Sequence, residues 1–212
     1  SSVVLNTNEV KNIRCGFDPL THQMTLKVSG DGDTRNWDIC ATAKVYEISR
    51  PESSAMDLDG FKNQAEFHGD KAEFYRKASE EGLNYGPHFQ TLEQYWTGDN
   101  EMLGYVTLPE DDAHLFDNTY ISPTILDGVF QLSAEEMNKP GMSSKLYLPI
   151  GFDRLTLERS RGSSLYPKIV VLEHTREQIR LDIFLYDEKG YRTGQIHNFV
   201  CKAVDSKSTG SN

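Results

Sequence analysis

The stretch 121-ISPTILDGVFQLSAEEMN-138 decides how the chain is organised. Ser122 is a good helix N-cap, and Pro123 suits the first helical position. From there Ile125, Leu126, Val129, Phe130 and Leu132 cover more than half of a helix circumference. A helix that is apolar so far round is buried, not laid on a wet surface. Inside this run stand Asp127 and Gln131, four residues apart and therefore one above the other on the same face.

Outward from this helix the pattern changes to alternation. Strands are predicted at 89–96 and 102–108, around Leu155 and Leu157, and at 168–173, 179–186 and 194–204. A short helix precedes them at 70–82, with Asp70 as its cap and Gly82 as its stop. The loop 82-GLNYGPHFQ-90 follows it. Nearer the start, Val3 to Leu5, 24–28 and 37–45 read as strands, the last two joined by the turn 30-GDGD-33. One apolar helix among many strands predicts an α+β chain whose antiparallel sheet wraps a central helix, the hotdog fold. The expected organisation is a strand-only part at 1–46, a polar linker at 47–63, the helix-containing part at 64–204 and a disordered tail at 205–212. The missing starting Met and the polar tail suggest a domain cut from something longer.

Composition narrows the function. A net charge of -10 over 212 residues argues against a general nucleic-acid binder, which needs a basic stripe, and against an anionic membrane. No apolar run reaches the length of a membrane span. The three cysteines, Cys15, Cys40 and Cys201, are too scattered for a disulfide framework or a zinc site. Cys40 and Cys201 lie in strand-like runs and are expected to be small core residues, which fits a reducing cytoplasm.

A carboxylate on a buried face costs several kcal/mol unless it is paired or neutral. Two readings follow for Asp127. It is a polar residue satisfied by Gln131, or it is a desolvated acid kept protonated so that it can give its proton away. Spacing alone leaves both open. Gly128 removes a side chain beside it, where a substrate or another backbone could approach.

The run 122-SPTILDGVFQ-131 resembles a block of polyketide synthase dehydratase domains, in which an Asp on the buried helix of the C-terminal hotdog is followed four residues on by Gln or His. Two further stretches agree in order. The run 82-GLNYGPHF-89 is similar to the family's Gly-Tyr-x-Tyr-Gly-Pro-x-Phe, with Leu83 for the first Tyr. The run 148-LPIGF-152 is similar to Leu-Pro-Phe-x-Trp, with Ile150 and Phe152 at the aromatic positions. The resemblance covers residues 64–204, and more weakly 1–46 as the last strands of an N-terminal hotdog. It implies loss of water from a β-hydroxyacyl chain held on the phosphopantetheine of an acyl carrier protein. Asp127 would protonate the departing hydroxyl, Gln131 would orient Asp127, and Tyr85 would hydrogen-bond near that hydroxyl. Pro87 would fix the loop. Phe89, Gly128, Leu148 and Pro149 would contact the substrate or wall its tunnel. No cofactor is bound directly and no metal is implied. The implied partners are the carrier protein and neighbouring synthase domains, with room for a homodimer made through the parent synthase.

The family's base is a histidine in a block His-x-x-x-Gly-x-x-x-x-Pro. None of the six histidines, at 22, 68, 88, 114, 174 and 197, has that context. His88 occupies a variable position and is expected to be a plain loop residue. Either the base lies upstream of this stretch, or the chain is a dehydratase-like domain. Such a domain could shift a double bond, close a pyran ring, assist chain branching, or serve as a scaffold without catalysis.

Overall fold

The computed structural model describes residues 9–30, 35–48, 55–80, 82–109, 112, 119–137, 146–158 and 162–204. The chain divides into two compact units, Ser1–Pro51 and Glu52–Asn212. The strand expected at Val3 to Leu5, most of the 30–33 turn and the 205–212 tail lie outside the described residues.

The first unit is a three-stranded antiparallel meander of β1 (Asn12–Asp18), β2 (Gln23–Ser29) and β3 (Asp38–Lys44). β2 and β3 match the expected strands. β1 was not foreseen, although Ile13, Cys15 and Phe17 alternate. In register, Ile13 faces Val28, Cys15 faces Leu26 and Phe17 faces Met24, so one face of this sheet is apolar. Ile13 and Phe17 on that face are exposed. Cys40 is only half-buried, a correction to its expected core position.

The second unit begins with α1 (Leu58–Gln64), β4 (Glu66–Asp70) and α2 (Lys71–Glu80). The expected linker of 47–63 therefore gives way to a helix in its second half. Asp57 caps that helix, its side chain accepting the Gly60 N–H at 2.8 Å. The helix is held by Lys62, whose ammonium lies 5.1 Å from the Trp96 ring centroid and 4.3 Å from that of Tyr166. α2 starts as expected, with Asp70 accepting from the Glu73 N–H at 3.0 Å. It stops at Gly82, whose φ of 90° is open to glycine at little cost.

A single 3-10 turn, Pro87–Phe89, leads into β5 (Leu92–Thr97) and β6 (Glu101–Thr107). Then come α3 (Pro123–Met137), β7 (Leu146–Gly151), β8 (Arg154–Leu157), β9 (Ser164–His174), β10 (Gln178–Tyr186) and β11 (Arg192–Val204). Eight strands form one sheet in the order β4-β5-β6-β9-β10-β11-β7, with β8 also on β11. Every pairing is antiparallel. The buried residues of β9 to β11 alternate as period two requires: Ile169, Ile179, Leu181, Ile183, Leu185, Ile196 and Cys201 point into one core. Burial pushes the Cys201 thiol up to about 12, which leaves it an inert core residue, as expected.

α3 packs on β5, β6, β9 and the 3-10 turn. Ser122 caps it, accepting the Thr124 N–H at 3.2 Å. Ile125, Val129 and Leu132 are buried at 3%, 0% and 0% exposure. The helix is not buried all round, which corrects the expectation for Leu126 and Phe130. At ~100° per residue, Leu126, Phe130, Ala134 and Asp127 form one contiguous arc, and all four are only half-buried. Gln131 and Gly128 lie beyond one border of that arc and are buried.

At Gly128 the helix meets the start of β5. The place a Cβ would take is filled by the Thr91 hydroxyl, which itself bonds to the Thr124 carbonyl at 3.2 Å. The notch, expected to let a substrate or another backbone come close, is filled by the Thr91 side chain at the start of β5. Gly128→Ala should destabilise the fold by about 1–3 kcal/mol through overpacking. Adding Thr91→Ala should return part of that loss in urea unfolding, since the two side chains compete for one space.

Candidate active site

The site is built where α3, α2 and the 3-10 turn meet. Asp127 sits at the edge of the half-buried arc of α3, and Gln131 lies one turn on, 4% exposed. The Gln131 amide nitrogen donates to Asp127 Oδ2 at 2.7 Å and to the Phe89 carbonyl at 2.9 Å. Its oxygen accepts from the Tyr75 hydroxyl at 2.7 Å. Tyr75 was not singled out in the sequence. Its signal was faint: one aromatic on the inner face of a short amphipathic helix, next to Phe74, with nothing to separate it from ordinary core.

The loop between α2 and β5 is folded by its own residues. Gly86 is extended, Pro87 opens the 3-10 turn, and the Phe89 N–H donates to the Gly86 carbonyl at 2.9 Å. Gln90 donates to the Tyr85 carbonyl at 2.9 Å. This turn aims the Phe89 carbonyl at Gln131 while leaving the Phe89 ring exposed. The Tyr85 ring packs edge-on against Tyr75, with centroids 5.7 Å apart. Burial, and then the nearby charge of Asp127, push the Tyr85 phenol above its ordinary range. Tyr85, Asp127, Gln131 and the backbone of Phe89 are therefore one neighbourhood.

Leu148 and Pro149 lie elsewhere in the strand order, on β7, paired with Lys202 and Cys201 of β11. Leu148, Ile150 and Phe152 are exposed apolar residues. His88, expected to be a plain loop residue, has a partner: its Nδ1 lies 2.7 Å from Oδ2 of the buried Asp112. Among the described residues no group of His, Cys, Asp and Glu could hold a metal ion, and no helix is long and apolar enough to cross a membrane.

The arrangement holds one Asp127 carboxyl oxygen with an amide donor, beside a phenol whose ionisation is pushed up. Comparison with known proteins gives the family. Residues 54–210 match the family model described as "Polyketide synthase dehydratase N-terminal domain". The chain belongs to the polyketide synthase dehydratase family.

It is similar to polyketide synthase PksN of Bacillus subtilis, 25% identical over 174 residues, which is 77% of this chain and 3% of that protein. It is also similar to erythronolide synthase EryA2 of Saccharopolyspora erythraea, 25% identical over 63% of this chain. The chain spans about 3% of the length of either relative. Among solved structures, the dehydratase domain from the CurK module of curacin polyketide synthase superposes with a TM-score of 0.76 at 20% identity, covering 99% of this chain and 73% of that one. An inactive Asp-to-Asn mutant of the CurK dehydratase gives 0.78 at 21% identity, over 96% and 73%. These likenesses confirm the α+β hotdog-type dehydratase fold.

A titration checks the site's electrostatics. Tyr85 should ionise above the ordinary phenol range, isolated as the ultraviolet difference between the wild type and Tyr85→Phe. In Asp127→Asn the same difference should move to lower pH, because removing a neighbouring negative charge eases loss of the phenolic proton.

Proposed function

We propose that residues 64–204 are the C-terminal hotdog of a polyketide synthase dehydratase domain and supply the acid for dehydration of a β-hydroxyacyl chain on an acyl carrier protein. The observation that carries this reading is the bond from Gln131 to Asp127 Oδ2 on a helix whose open arc is apolar. An oxygen that already receives an N–H has no room to carry a proton toward the same donor. The transferable proton therefore belongs on Oδ1.

In the reaction the α-proton goes to a base, the C–C double bond forms, and the bond to the β-oxygen breaks. The leaving hydroxyl takes the proton from Asp127 and departs as water. The Gln131 amide then stabilises the carboxylate left behind. Tyr85, a neutral phenol, donates a hydrogen bond to the substrate hydroxyl. Leu126 and Phe130 beside Asp127, together with the loop of Pro87 and Phe89, form an apolar approach for the acyl chain. Leu148 and Pro149 wall the tunnel further out. Gly128 contributes by letting α3 sit close to β5. No cofactor takes part in this scheme, and the partners are the carrier protein and the adjoining synthase domains.

The base belongs to the other hotdog of the domain in this reading, since none of the six histidines here stands in the family's histidine block. The assignment of the half rests on the Asp-x-x-x-Gln block and on the order of the two blocks around it, whereas the matching family model carries the N-terminal label. The CurK dehydratase, recorded as an inactive Asp-to-Asn mutant, is a precedent for one indispensable aspartate.

The test is Asp127→Asn in the parent synthase domain, which keeps shape and hydrogen bonding but removes the proton. Turnover of a β-hydroxyacyl carrier protein, followed by mass spectrometry of the arm, should fall by a factor on the order of 100 or more, with folding nearly intact. Unchanged turnover would return Asp127 to the role of a satisfied polar residue.

A further inference from the structure

We infer that Tyr75 is a positioning residue that sets which end of the Gln131 amide faces Asp127; the catalytic part of this inference rests on the dehydratase reading above. The argument starts from the donor and acceptor inventory of one hydroxyl. A tyrosine hydroxyl has one hydrogen to give and can accept elsewhere. The Leu92 N–H, at 3.0 Å, can only donate to the Tyr75 oxygen. The single Tyr75 hydrogen then has two acceptors in reach, Gln131 Oε1 at 2.7 Å and the Phe89 carbonyl at 3.3 Å, and the shorter contact takes it.

Gln131 has no freedom left. With Oε1 committed to Tyr75, its two N–H groups face Phe89 O and Asp127 Oδ2. Rotating the amide by half a turn would set its oxygen against a carbonyl and a carboxylate at once. The first residue of β5 therefore fixes the Tyr75 hydroxyl, that hydroxyl fixes the amide, and the amide decides which oxygen of Asp127 faces the substrate. The whole relay is buried at its inner end, with Tyr75 at 8% and Gln131 at 4% exposure. Edge-on contact with Tyr85 further restrains the Tyr75 ring.

Tyr75→Phe removes the hydroxyl and keeps the ring. Two readouts separate positioning from simple packing. The first needs no turnover: hydrogen exchange of the Gln131 side-chain amide, followed by NMR on nitrogen-15-labelled protein, should become roughly tenfold faster in Tyr75→Phe. The second is a double-mutant cycle in the parent synthase domain with carrier-bound β-hydroxyacyl substrate. Tyr75→Phe should lower kcat about tenfold and leave KM unchanged, an effect the size of one neutral hydrogen bond. In a Gln131→Leu background the same change should cost little more, because Tyr75 acts through Gln131. Gln131→Leu leaves the Leu92 bond to Tyr75 in place, so it serves as the second variant if Tyr75→Phe fails to fold, and it should itself lower kcat. Unchanged amide exchange, additive losses in the cycle, or wild-type kcat in Gln131→Leu would each overturn the positioning role. If exchange changes as expected while Asp127→Asn retains full turnover, the amide relay stands and the dehydratase acid is what fails.

Discussion

A buried side-chain amide must find partners for one acceptor and two N–H groups, and the structure around Gln131 is arranged to meet that demand. Its oxygen reaches α2, one N–H reaches the turn before β5, and the other reaches back one helical turn to Asp127. Leaving any one of these unmet would cost about 1–3 kcal/mol. The amide thus ties together elements that are far apart in sequence, Tyr75 and Gln131 being separated by 56 positions. A polar network that is fully satisfied specifies one arrangement of its elements, and here that arrangement also places the Asp127 carboxyl.

The apolar packing makes the network reachable. α3 approaches β5 closely because Gly128 leaves room for the Thr91 side chain, and this closeness brings the Phe89 carbonyl within reach of Gln131. On the sheet, Leu92, Val106, Ile169 and Leu181 are fully buried in the core that α3 joins. Area burial of this kind supplies most of the driving force, roughly 1.5–3 kcal/mol for each large side chain. The half-buried arc of α3 packs at the edge of that core, where Phe130 stacks on the buried Phe199, and Asp127 stands on the border of the arc.

The first unit follows the same strand physics without the same interior. Its meander pairs cleanly, yet Ile13 and Phe17 of its apolar face remain exposed.

The sequence by itself determined most of the elements and the pairing of Asp127 with Gln131. Period-two alternation placed six strands of the large sheet. The Ser122 cap and Pro123 placed α3, and spacing of four placed Asp127 beside Gln131, because local geometry is enough to relate residues one helical turn apart. It did not reveal β1, β4, β7 or α1, whose segments contain Gly16, Gly69, Pro149 with Gly151, and Gly60, so that turn chemistry masks their pattern. Nor could it reveal Tyr75, the partner of His88, or the half-open arc of α3. Tertiary structure alone decided those, because a hydrogen bond between α2 and α3 and the direction from which a helix is covered depend on how distant segments meet, and no local periodicity carries that information.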